Sequence, residues 1–447
     1  MYLLNKDKII SAMHKKDIST QKELANKLGM SKSQLSMLLS ESYSPIKSNV
    51  ISLCKELGIK LDDILQVANP VELSGDYEQL ELNLDNSIDS MDRNDFKNSM
   101  YTDVSSVKPS KNFTVLELFA GAGGLALGLE KSGLKTIGAI ELDKSACDTL
   151  KRNRENWNVI NGNIVEIANE GISNYINIGV GELDLLSGGY PCQAFSYAGM
   201  KRGLEDARGT LFYSYAQILQ DLMPKMFLAE NVKGLVNHDN GNTLSTMLKV
   251  FSDIGYTVKW DILKATDYNV AQKRERIVMI GVRNDIASLH TEGFSYPMPH
   301  SKTLTLKDVL KNVPKSAGTK YPDSKKKVLE LVPPGGYWRD LPERIAKEYM
   351  GKSYYSGGGR TGMARRLSWD EPSLTLTCSP AQKQTERCHP DETRPFTIRE
   401  YARIQSFPDD WVFECSITNA YKQIGNAVPV NLAKAIGKSI INYLNKI

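Results

Sequence analysis

Thr114-Val115-Leu116-Glu117-Leu118-Phe119, running directly into Ala120-Gly121-Ala122-Gly123-Gly124, decides how the rest of the chain is read. The first six residues are an apolar run of strand length, and an amphipathic helix begins near Leu125. The glycines between them tolerate backbone conformations closed to other residues. Strand, glycine turn and helix make a cradle of the nucleotide-binding kind, in which the backbone admits a ligand closely and the helix N-terminus offers free N–H groups. A second strand is predicted over 136–140 and ends on Glu141, about twenty residues on, where a carboxylate can accept the two hydroxyls of a ribose. An ordinary tight turn remains the competing reading of the glycines at this point.

Further strand-like runs at 183–187, 226–229, 256–263 and 277–282 are separated by helix-like segments such as 211–222 and 243–251. That alternation predicts an α/β fold with a doubly wound, mainly parallel sheet, whose ligands sit at the carboxyl ends of the strands. Glu141, Cys192 and Glu230 all follow predicted strands and are expected to converge on one crevice. Cys192 stands in Gly189-Tyr190-Pro191-Cys192-Gln193, on a turn where Pro191 fixes its own backbone angle. It reads as a nucleophile, against the alternative of a small core residue.

Outward from this middle, apolar positions at helical spacing over 19–39, interrupted by Gly29 and resumed after Ser31, form a helix-turn-helix pattern. Residues 68–112 are acidic, rich in Asn, Asp and Ser, and are expected to be a flexible linker. Residues 286–393 are poorer in periodicity and rich in Gly, Pro, Lys and Arg, as suits recognition by loops. The formal net charge of +4 hides an uneven distribution: 1–67 hold ten bases against seven acids, 72–103 two against nine, and 286–393 seventeen against twelve. Two basic regions flanking an acidic link are compatible with a polyanionic partner. Six scattered cysteines with no CxxC pair, and only five histidines, point to neither a disulfide framework nor a metal site. No apolar run spans a bilayer and the first residues lack a signal-peptide core, so a cytoplasmic location, in the bacterial cytoplasm or nucleoid, is expected with no membrane partner.

Six stretches, in order, carry a resemblance: FAGAGGLALGLE, GGYPCQAFSYAG, Glu230-Asn231-Val232, Gln272-Lys273-Arg274-Glu275-Arg276, RPFTIREYARIQSFPDDW and YKQIGNAVPV. They resemble the DNA (cytosine-5) methyltransferases of type II restriction-modification systems, over almost all of 114–447. The resemblance implies the S-adenosylmethionine-dependent methyltransferase fold with an inserted target-recognition domain. Its domains would be a catalytic domain over 113–285, a recognition region over 286–393 and a C-terminal segment over 394–447 that completes the catalytic domain. It assigns attack on C6 of a flipped cytosine to Cys192, binding of the N3 and amino edge to Glu230, the O2 contact to Arg276, and orientation of the site or a phosphate contact to Arg274. It implies that Phe119, Gly121, Gly123, Glu141, Asn163, Ile164, Asn426 and Val428 hold S-adenosylmethionine, with Asn163 departing from the family's usual Asp. Ser196, Lys201 and Arg202 fall in what looks like the family's mobile loop over the flipped base. TQKELANKLGMSKSQLSMLLS and VISLCKELGIKLDDIL resemble the all-helical phage Cro and repressor domains, within a helix-turn-helix domain over 1–67. That likeness implies that Lys32, Ser33, Gln34 and Ser36 face a major groove.

The implied partners are double-stranded DNA, operator DNA through the N-terminal domain, and a cognate restriction endonuclease as a genetic rather than physical partner, with a monomer acting on each site. Two readings compete. One is a helix-turn-helix repressor with an inert methyltransferase part; the other is a transfer-RNA cytosine-5 methyltransferase.

Overall fold

The computed structural model describes residues 2–4, 6–16, 18, 20–28, 56–57, 65–67, 100–191, 211–290, 292–355 and 361–447. The chain divides into two units, 1–87 and 88–447. In the first, helices Lys6–Lys15 and Gln21–Lys27 bury Ile9, Ala12, Met13, Leu24 and Ala25, whose three- and four-residue spacing puts them on inward faces. A short antiparallel pair, Tyr2–Leu4 with Leu65–Val67, accompanies these helices.

The second unit is built on a seven-stranded sheet. In chain order its strands are β1 (Thr114–Leu118), β2 (Lys135–Glu141), β3 (Val159–Asn161), β4 (Leu185–Gly188), β5 (Met226–Val232), β6 (Tyr256–Lys264) and β7 (Glu275–Arg283). Across the sheet the order is β3-β2-β1-β4-β5-β7-β6. The first five run parallel, and β7 lies antiparallel between β5 and β6. β4 is buried throughout and β5 over all but its last residue, which is why Leu185–Leu186 and Met226–Ala229 read as apolar runs. Glu230 lies within β5, because that strand runs three residues beyond the expected Ala229.

Helices α1 (Gly124–Ser132), α2 (Lys144–Asn153), α3 (Ile164–Glu170), α4 (Leu211–Leu222) and α5 (Asn242–Ile254) alternate with the strands, and α6 (Ile398–Ile404), α7 (Ile417–Asn426) and α8 (Val430–Leu444) return from the C-terminal part. One core lies between the sheet and α3, α4 and α5; a second includes residues of α1 and α8. Residues 321–388 enclose a small core of their own around Tyr321, Leu329, Trp338, Met350 and Cys388.

The last part of the expected linker is structured. Tyr101–Thr102 pairs with Tyr296–Pro297, Tyr101 donates to Asp261, and Asn445 brackets Lys108 and Ser110 with two hydrogen bonds. Val104 is a buried apolar anchor within this polar segment, so average composition concealed it. No helix among the described residues is long and apolar enough to cross a membrane.

Helices α2 and α3 are capped by their own preceding side chains, Asp143 on Ser145 N at 2.9 Å and Asn163 on Val165 N at 3.0 Å. Helix α1 has no such cap, since Gly123 precedes it; instead Glu117 reaches from β1 to accept the Ala126 N–H. Its Oε2 has no partner among the described residues, and burial raises the carboxyl pKa well above the ordinary 4.5. Ionisation above that value therefore costs the folded state, and the cost is absent below it. Glu117→Gln, which keeps an acceptor for Ala126, should melt like the wild type in acid and gain on it as the pH rises towards about 8. Melting curves whose difference stays constant with pH would show that the carboxyl carries no such penalty.

Candidate active site

A cavity of about 710 Å³ opens at the carboxyl ends of β1, β2, β4 and β5, where doubly wound sheets present their loops. Its volume is that of a site for a small ligand. Phe119, Gly121, Glu141, Asn163, Ile164, Glu230, Arg274, Arg276, Asn426 and Val428 all line it. Phe119 and Val428, near opposite ends of this unit's sequence, are thereby brought to one wall.

One end is the glycine turn and the end of β2. Phe119 and Gly121 hold left-handed backbone angles, φ 57° and 54°, which let the turn leave β1 abruptly. The Glu141 carboxylate accepts the Gly121 and Asp143 N–H groups, each at 2.8 Å, one per oxygen. A carboxylate has about four acceptor positions, so a diol's two hydroxyl donors can still be met. Space is open where a Cβ at Gly121 would lie. A ribose-bearing ligand such as S-adenosylmethionine fits this end. Asn163 spends its oxygen on the α3 cap and its Nδ2 on Glu166 at 3.1 Å, so the departure from Asp preserves a cap at this position. Gly123 does not line the cavity: it holds φ 84°, and a Cβ there would press on Leu150 and Trp411. Gly124, absent from the expected set, does line it, and its missing Cβ admits the Val428 carbonyl and Ala427.

The other end is ionic and nearly dry. Glu230 pairs with Arg276 at 2.8 Å, both side chains about one-eighth exposed. Burial raises the Glu230 pKa, and Arg276 and Arg274 pull it back only in part. Arg274 is 3 % exposed; burial first, and the like charge of Arg276 second, depress its pKa to about 9. Its Nη atoms make long 3.4 Å bonds to the Leu376 and Asn426 carbonyls and its Nε finds no partner among the described residues. These bonds tie Arg274 to the segments around Leu376 and Asn426.

Turn and carboxylate are packed directly together. A Cβ at Gly189 would stand 2.8 Å from Glu230 Oε2, so only glycine lets the strand-end turn lie on that carboxylate. Asn231 donates to the Tyr190 carbonyl at 3.0 Å, and the Tyr190 ring is set among Phe119, Phe212 and Tyr215. Pro191 lines the cavity; Cys192, Ser196, Lys201 and Arg202 lie outside the described residues, as do Lys32, Ser33, Gln34 and Ser36. Sequence reading missed Leu142, Thr375, Thr377, Cys378 and Lys422 on the cavity wall. Leu142 was findable as the neighbour of Glu141. The Thr and Cys positions carry no signal before the chain folds back.

Residues 113–442 match the C-5 cytosine-specific DNA methylase family, and 7–68 match the helix-turn-helix domain of the bacteriophage CI repressor. The chain is 56 % identical over 443 residues to the type II methyltransferase M.Sau96I of Staphylococcus aureus, covering 99 % of both. It is 59 % identical over 345 residues to M.Eco47II of Escherichia coli, covering 75 % of this chain and 80 % of that one. The solved methyltransferase EhMeth of Entamoeba histolytica shares the fold, with TM-score 0.53 and 16 % identity over 75 % of this chain and 99 % of that one. With three-quarters of its length in that match and relatives above half identity, the chain belongs to the C-5 cytosine-specific DNA methylase family.

Proposed function

We propose that this DNA (cytosine-5) methyltransferase protects host DNA in a type II restriction-modification system, acting as a monomer on duplex DNA with Cys192 as nucleophile. The juxtaposition of the Gly189 turn, the Glu230 carboxyl and Arg276 in one cavity with Glu141 carries this reading. The type II relatives support its biological setting, with a restriction endonuclease as genetic partner.

Cytosine C5 is too weak a nucleophile to be methylated unaided. Addition of the Cys192 thiolate to C6 drives electron density onto C5. Glu230, whose pKa burial raises, hydrogen-bonds or protonates N3 as that charge develops, while Arg276 holds Glu230 and reaches O2 of the base. Arg274 braces this pair from the side of Leu376 and Asn426. S-adenosylmethionine, held by Phe119, Gly121, Glu141, Asn163, Ile164, Asn426 and Val428, supplies the methyl group when bound. Once C5 is methylated, loss of its proton expels Cys192. The target base must leave the duplex, at a cost of roughly a few kcal/mol, and the segment 196–209, with its glycines and basic residues, resembles the family's loop that closes over it. Residues 286–393 recognise the duplex, and 1–67 bind operator DNA through Lys32, Ser33, Gln34 and Ser36.

Incubation with S-adenosylmethionine and genomic DNA, followed by bisulfite sequencing, should reveal 5-methylcytosine within one short motif; Cys192→Ala should leave none. Undiminished methylation by that variant would remove Cys192 from the chemistry. Glu230→Gln should lower kcat by about 10²–10⁴. Because the raised pKa keeps the acid form available, wild-type activity should decline as pH rises through it, whereas the Gln variant should lose that alkaline limb. For the N-terminal domain, a chain of residues 88–447 should bind DNA upstream of its own gene more weakly than the full chain does. Equal affinity would exclude an operator-binding role.

A further inference from the structure

Between Thr375 and Arg387 the chain leaves the cavity wall, makes an exposed turn and comes back. Thr375, Leu376, Thr377 and Cys378 line the cavity, Gln382, Lys383 and Gln384 are exposed, and Glu386 and Arg387 are buried again. An exposed turn ordinarily has few fixed points, but this one has many. Arg387 donates to the Thr375 carbonyl from Nε at 3.1 Å and Nη2 at 2.8 Å, and its backbone N–H donates to Pro380. Lys325 bonds the Ala381 carbonyl at 2.7 Å and pairs with Glu386 at 2.8 Å. Glu386, whose side chain is wholly buried, also accepts from Tyr349 and the Ala364 N–H. Beneath the tip, a Cβ at Gly362 would meet the Gln384 carbonyl at 2.6 Å.

A buried ion pair is a weak source of stability, because desolvation offsets its attraction. Placed under a surface turn, it holds that turn in one position, as a recognition element requires. The exposed tip is also chemically selective. Lys383 folds back over the Tyr349 ring, 4.8 Å from its centroid, and does not extend the tip as a free cation. Gln382 and Gln384 carry amides that are engaged with nothing among the described residues. An amide offers a donor and an acceptor side by side, the pattern that pairs with a base edge in the major groove.

Distance places these amides near the reacting base. Gln382 is four residues from the cavity-lining Cys378, so their Cα atoms are at most about 14 Å apart. Gln384 is closer, since its neighbour Thr385 touches the cavity-lining Thr377, Oγ1 to Oγ1, at 3.3 Å. Both tips therefore stand a short chain distance from the cavity wall, comparable to a few of the about 3.4 Å steps between stacked base pairs.

We propose that Gln382 and Gln384 read base edges beside the target cytosine, and that the Lys325–Glu386 pair, Arg387 and Gly362 position the turn that presents them. This rests on the proposal that the substrate is duplex DNA. The test uses the full chain with S-adenosylmethionine and genomic DNA, comparing bisulfite-derived motifs for the wild type, Gln382→Ala, Gln384→Ala, Gln384→Glu and Gly362→Ala. Each Ala variant is expected to lose discrimination by roughly tenfold at one motif position while the others hold. Gln384→Glu is expected to change the preferred base at the Gln384 position, because it replaces a donor with an acceptor. Gly362→Ala, which touches no base, is expected to blur the same positions. Slower methylation at an unchanged motif in both Ala variants would overturn the assignment; an unchanged motif in Gly362→Ala would overturn the positioning role. No 5-methylcytosine from the wild type would instead sink the duplex-DNA reading itself.

Discussion

Two missing side chains hold the catalytic unit together. At Gly124 a Cβ would overlap the Val428 carbonyl, and at Gly128 it would overlap Ala433 and the Val430 carbonyl. Helix α1 and the start of α8 are therefore in backbone contact, closer than any pair of ordinary side chains permits. That contact draws the C-terminal return onto the glycine turn and makes Ala427 and Val428 part of the cavity wall. It also places the Asn426 carbonyl where Arg274 can reach it.

A buried polar network fastens the same junction. Gln272 and Gln405, neither of them exposed, join side chain to side chain at 2.7 Å; Gln272 accepts the Leu376 N–H, and Gln405 donates to the Ile424 and Ala427 carbonyls. Three distant parts of the chain, around 272, 376 and 405–427, are thus tied at one point. Such a network is costly if any member is left unmatched, so it specifies one arrangement of these segments over others. The catalytic end of the cavity is built on that arrangement. Arg274 and Arg276 leave the segment of Gln272 in succession, one towards the C-terminal carbonyls and the other onto Glu230. Burial, with the like charge of Arg276 behind it, depresses the pKa of Arg274, and burial raises that of Glu230 against the pull of both arginines. A site that must follow developing charge on a base uses that balance.

Much of the fold was legible because its signals are local. The glycine turn follows its strand directly, and the strands at the middle of the sheet, β1, β4 and β5, are buried on both faces. Other features were hidden for physical reasons. β3 is only three residues long, too short for periodicity to register. The antiparallel direction of β7 cannot be inferred from its apolar run, since either direction buries the same side chains. Residues 100–112 read as linker because Val104, the buried apolar side chain of that stretch, is isolated among polar neighbours. Among the site residues, the sequence reading named Gly123 and passed over Gly124, yet Gly123 shapes the turn and Gly124 lines the cavity and admits Val428.

By itself, the sequence determined the elements and the chemistry each could offer: the cradle at 119–124, a carboxylate at the end of the next strand, a thiol directly after Pro191, and paired arginines. Those follow from contacts within a few residues. Tertiary structure alone decided which groups meet. It set Gly189 against Glu230, Glu230 against Arg276, and Thr375 to Cys378 on the cavity wall beside a braced turn. Such encounters depend on close packing between segments far apart in the chain, where a missing Cβ or a single buried hydrogen bond settles the geometry, and local sequence patterns contain no term for them.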